Sequence, residues 1–187
     1  MISNVIRVIK EDLIQTFDDV FGWFNVHQAL LHYSPDNKGW NIKEVLEHIS
    51  LTNHYLLILI KKGTRKAIEK SGKADYTDLL QGYNLDWERM KLIGQHRSFE
   101  WNRPAHMEPK GRISMPAIHN KLQLQLDECL AYLAMLQHGE GVLYKTMMSV
   151  NGLGKIDVYH YIYFLVQHAR RHLTQLERLE HEYNLGV

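Results

Sequence analysis

Only one cysteine, Cys129, occurs in the chain, so no intramolecular disulfide can form, and a reducing compartment is the expected setting. Prolines number only four in 187 residues, which leaves room for long helices. No apolar run approaches the roughly 18 residues that a membrane span needs. The opening segment, MISNVIRVIKED, has no uninterrupted apolar core of the signal-peptide kind, and the expectation is a cytoplasmic protein. Excess charge is missing too: 22 basic against 21 acidic side chains give a formal net charge of +1. That balance excludes the broad basic footprint of a nucleic-acid or anionic-membrane binder. No Gly-rich phosphate loop, nucleophile elbow or paired-cysteine signature is present.

What is present is a helical pattern. Val5, Ile6, Ile9, Leu13, Phe17, Val20, Phe21 and Phe24 recur at steps of three and four and predict a first helix from Asn4 to about Ala29. HYSPDNKGW, with Pro35, Asn37 and Gly39, interrupts it. Asn41 and Glu44 have the spacing of a capping box and open a second helix, for which Gly63 is a natural stop. Residues 63 to 113 are less regular: KSGKADYTD reads as a surface loop, NLDWERMKLIGQ as a short helix, and FEWNRPAHMEPKGRIS as extended or turning. A third helix is expected from Ser114 to Gly139, with Pro116 in its first turn. HGEGVLYKTMMSVNGLGK reads as a flexible connection, and a last helix is expected from Asp157 to just before Gly186. Four long helices, no strand and a long crossover between the second and third predict an all-α, four-helix-bundle domain spanning residues 1–187.

Histidine, at twelve, is the compositional oddity. His168 and His172 are four apart, about 40° around a helix and one turn along it, so they share a face. Phe164 and Leu176 extend the same stripe, which places the pair inward. Buried imidazoles need partners, and a divalent metal that takes a lone pair from each is one solution. A third ligand should come from a neighbouring helix, and His48 in EVLEHISL is the best candidate. Glu44 and Thr52 flank it at i−4 and i+4, as partners of the ligand or handlers of water. A histidine pair of this spacing also occurs by chance on solvated faces, so the residues alone leave metal binding and a plain helical domain both open. His54 reads as structural, His160 as at most a pocket residue, and Cys129 as a core thiol.

The stretches GWNIKEVLEHI, MEPKGRIS and FLVQHARRHLTQLERL together resemble the DinB-like superfamily, which includes the YfiT-type metal-dependent hydrolases. The resemblance covers most of the chain and is weakest from Lys70 to Trp101. It implies an up-down-down-up four-helix bundle. It also implies a divalent metal, usually zinc or nickel, held by His48, His168 and His172, and frequent homodimers. Some relatives are thiol transferases that join a low-molecular-weight thiol such as bacillithiol to an electrophile.

Three neutral ligands leave a coordination position open, which favours chemistry over scaffolding. The expectation is therefore a metal-dependent hydrolase or thiol S-transferase acting on a small-molecule electrophile. Glu44 would orient or deprotonate the nucleophile, and Tyr161, His160 and Gln175 would shape the cavity. The alternatives are a non-catalytic metal or small-ligand sensor, and an interaction protein in which the histidines are remnants.

Overall fold

The computed structural model describes residues 2–35, 39–73, 75–101 and 104–186. Asn37, in the break after the first helix, and Asn102 and Arg103, in the extended segment, lie outside them. Four long helices dominate: α1 (Ile2–Gly22), α3 (Ile42–Ser71), α6 (Met115–Met135) and α7 (Val158–Gly186). Short helices α2 (Gln28–Leu31), α4 (Thr77–Gln81) and α5 (Trp87–Gly94) lie between them, with an antiparallel hairpin of β1 (Lys145–Met148) and β2 (Gly154–Asp157). α1 and α3 each pack against both α6 and α7. They enclose one hydrophobic core that includes Ile9, Leu13, Phe17, Leu46, Ile49, Leu122 and Ile162.

The first helix ends earlier than its apolar pattern predicts. Val26 and His27 are extended (ψ 153° and 154°), and His27 caps a new helix, its Nδ1 accepting from the Leu30 amide at 3.2 Å. Competition from a local side-chain cap therefore breaks the helix after Gly22. α3 opens as expected, with the Glu44 amide donating to Asn41 Oδ1 and the Asn41 amide to Glu44 Oε2. It does not stop at Gly63. That glycine is buried mid-helix, where a Cβ would come within 2.9 Å of Val158 Cγ2, so its job is close helix approach. The expected surface loop from Lys70 is in part the end of α3 and in part α4.

The hairpin replaces the expected flexible connection. Lys145 faces Asp157 and Met148 faces Gly154. Asn151 and Gly152, both at positive φ (46° and 59°), turn the chain between the strands. Asp157 then ends β2 and caps α7, its Oδ1 accepting from the His160 amide at 3.1 Å.

Two packings position the site. Arg170 on α7 forms an ion pair with Asp12 on α1 at 2.7 Å, and Tyr163 donates to the same carboxylate. α5 lies on α7 through Trp87 against Tyr163, with ring centroids 4.9 Å apart, and through Gly94 beneath Gln167. The crossover therefore delivers the residues after α5 to the middle of α7.

Candidate metal centre

The α3 capping box fixes the first turn of the helix that carries His48 one turn further on. From α7, His168 and His172 reach the same point. All three are buried, at 4%, 3% and 8% exposure, and their nearest ring nitrogens lie within 4.8 Å of one another. His168 Nε2 and His172 Nε2 are 3.2 Å apart.

Each outer ring has a defined hydrogen-bond partner. His48 Nδ1–H donates to the Met107 carbonyl at 2.7 Å, and His172 Nδ1–H donates to Gln175 Oε1 at 2.9 Å. Both rings are thereby left with an Nε2 lone pair. The His168 Nδ1 is buried with no partner among the described residues. Burial first, then His172, His48 and Arg171, hold the His168 pKa well below the ordinary histidine value, which keeps the ring neutral.

These residues fit a divalent cation. Two nitrogens on a tetrahedral ion with bonds of about 2.0–2.1 Å lie about 3.3 Å apart. The 3.2 Å separation matches, and the donor set is three imidazoles, ligands for zinc, nickel, cobalt, copper or iron. No other group of three or more His, Cys, Asp or Glu side chains with this convergence occurs among the described residues.

A cavity of about 1000 Å³ opens onto the histidines, lined also by Trp40, Thr52, Phe164 and Gln175. Trp40 lies over His48 with ring centroids 4.7 Å apart, and Trp101 lies 5.9 Å from His168. Thr52 Oγ1 points to Met107 Sδ at 4.0 Å, so it supports the segment that holds His48.

The other expected site residues are placed differently. Glu44 keeps its carboxylate on the Asn41 amide and does not line the cavity. His160 belongs to a separate cavity of about 210 Å³, with Nδ1 2.8 Å from Asp157 and 3.5 Å from the Tyr83 hydroxyl. Tyr161 donates to the Met147 carbonyl at 3.0 Å and is absent from the cavity wall. Gln175 does shape the cavity, as expected. His54 is exposed beside Tyr55.

One residue that sequence reading missed is Glu47. Only 2% exposed, it accepts from the amides of Lys110 at 3.0 Å and Gly111 at 2.9 Å. It thereby ties the loop bearing the Met107 carbonyl to α3. The only available sign was an acid at a position that the helical period places inward, directly before a candidate ligand.

A helical protein with three convergent buried histidines beside a large cavity is the class that fold and site define. The model of the DinB superfamily matches residues 11–176, and the chain belongs to that superfamily. It is similar to "Uncharacterized protein YuaE" of Bacillus subtilis (strain 168), with 20% identity over 174 residues, covering 92% of this chain and 95% of the relative. No solved structure gives a significant match. No helix among the described residues is long and apolar enough to cross a membrane.

Proposed function

We propose that this protein is a metal-dependent enzyme in which His48, His168 and His172 hold one divalent cation, zinc or nickel, for attack by water or a low-molecular-weight thiol on a small electrophile. The observation that carries the reading is the convergence of three buried imidazoles on a cavity of about 1000 Å³. When bound, such an ion acts as a Lewis acid and lets a water or thiol lose its proton near neutral pH.

The chain's own residues do the rest. Met107 and Gln175 orient the His48 and His172 rings by accepting hydrogen bonds from their Nδ1–H groups. Trp40, Trp101 and Phe164 give the cavity apolar walls that exclude bulk water and leave room for an organic substrate. Glu44 contributes through the capping box that sets His48; Glu44→Gln, which keeps an acceptor for the Asn41 amide, tests a direct part in proton transfer by the fall in kcat it would then cause. The up-down-down-up order of α1, α3, α6 and α7, within one domain and a homodimer, belongs to the same proposal. The ring of helix contacts supports the bundle order.

The test uses metal-loaded protein and chromogenic electrophiles, with and without a panel of small thiols. Turnover that requires a thiol assigns a transferase, and turnover in water alone assigns a hydrolase; both must vanish in His168→Ala. No turnover in either arm, with thermal stabilisation by the same compounds, would replace the enzyme with a ligand-binding sensor.

A further inference from the structure

The outer part of the cavity differs in character from the histidine end. Among the described residues, its wall carries Arg97, Arg171 and Arg178 and one carboxylate, Glu182. The chain as a whole is balanced at a net charge of +1, so this excess is local to the cavity. Among the described residues, none of the three arginines lies within ion-pair distance of a carboxylate.

Arg171 is held by two contacts. It directly precedes His172, its Nη1 donates to the Gln95 carbonyl at 2.5 Å, and its guanidinium lies 4.8 Å from the Trp101 ring centroid. Stack and bond fix the plane of the guanidinium, and among the described residues its remaining N–H groups have no protein acceptor. Trp101 itself has a buried indole N–H with no acceptor among the described residues. Arg178 follows Arg171 by seven residues on α7, on the same face and roughly 10 Å further along the axis. Arg97, from the crossover, sits at a φ of 60°, a left-handed conformation that a non-glycine residue rarely takes. Burial and the charges of Arg178, Arg171 and Arg97 lower the pKa of His96, so the three guanidinium groups act on one region.

We infer that Arg97, Arg171 and Arg178 form an anion subsite that binds the carboxylate or phosphate of a small organic substrate whose reactive end lies at the histidines. The inference rests on the cavity being a substrate site. Arginine suits the task because its planar fork meets carboxylate and phosphate oxygens bidentately. Three like charges on one concave wall attract an anion more strongly than an isolated surface arginine does. The apolar walls at the histidine end and the cationic outer wall together select an amphiphilic molecule: an electrophilic carbon skeleton with an acidic tail.

The experiment follows tryptophan fluorescence and calorimetry of the metal-loaded full chain. The probes are glutarate and phenyl phosphate, with neutral glutaramide as control, at fixed ionic strength. Wild type is expected to bind the anions at least tenfold more tightly than glutaramide, with affinity falling as salt rises. Arg171→Gln and Arg178→Gln are each expected to weaken anion binding about tenfold and leave metal stoichiometry unchanged. Both replaced side chains are at least partly solvent-exposed, so folded variants are expected, and circular dichroism verifies them. Anion affinity within twofold of wild type in the double variant overturns the subsite. So does anion binding no tighter than that of glutaramide, or no anion binding up to about 10 mM. Failure of the metal reading is a separate result, read from metal stoichiometry in wild type and His168→Ala.

Discussion

His48 Nδ1 lies 2.7 Å from the carbonyl oxygen of Met107, 59 residues further along the chain. That bond links α3 to the loop before α6 and decides which nitrogen of the His48 ring is left to bind a ligand. Buried Glu47, the neighbour of His48, holds the same loop by two backbone amides. His48 and the loop that orients its ring are therefore tied together by adjacent residues of one helix.

Replacing Glu47 tests that coupling. Glu47→Ala leaves two amides without their charged acceptor, a loss of about 3 kcal/mol of stability. Because the Met107 carbonyl moves with the loop, metal affinity is expected to fall about tenfold or more. Urea denaturation and metal titration measure the two effects. A variant that loses stability yet binds metal like wild type would show that the loop does not orient His48.

Gly63 and Gly72 form a contrast within one helix. At Gly63 a methyl group meets Val158 Cγ2 at 2.9 Å, a stiff β-branched side chain at the start of α7. Gly63→Ala is expected to cost about 1–3 kcal/mol through overpacking. At Gly72, with φ −72° and open space around it, alanine is expected to be neutral or to stabilise by about 0.5 kcal/mol. Equal effects at the two positions in thermal unfolding would contradict the close approach of α3 to α7.

The metal-free protein carries an acid-sensitive element in His168. Its native pKa lies well below the ordinary value, mainly through burial, whereas the unfolded chain binds this proton at about pH 6.5. Below that pH the unfolded state holds more protons than the native one, so acidification favours unfolding. The contribution of His168 is full above about pH 6.5 and is lost as pH falls toward the native-state value, by up to about 1.4 kcal/mol per pH unit. Urea midpoints between pH 7.5 and pH 5.5 measure this. In His168→Gln the slope should shrink by up to one proton; an unchanged slope would place the sensitivity elsewhere.

The four long helices and the shared face of the α7 histidines were legible because both follow the helical period. The apolar stripe of α1, the Asn41–Glu44 box, and the shared face of His168 and His172 are all local patterns. Gly63 misled because glycine ends helices by its backbone and permits close packing by its missing side chain, and only tertiary contact separates the two. The hairpin escaped notice because each strand has four residues, too few to establish an alternating pattern. Its Asn151–Gly152 turn was nonetheless a readable signal. The anchoring by Glu47 was hidden for another reason: its amide partners lie 63 and 64 residues away. Arg171 gains its setting only when the crossover brings Gln95 and Trp101 onto α7.

The central claim is tested most directly by titrating metal-free, tag-free protein with cobalt(II) and following its visible absorption bands. The account predicts saturation at one equivalent per chain with the intense bands of low-coordinate nitrogen ligation. It also predicts loss of those bands in each of His48→Ala, His168→Ala and His172→Ala, with Gln175→Ala weakened but not abolished. Wild type that shows no stoichiometric binding, or histidine variants that titrate as wild type does, would contradict it.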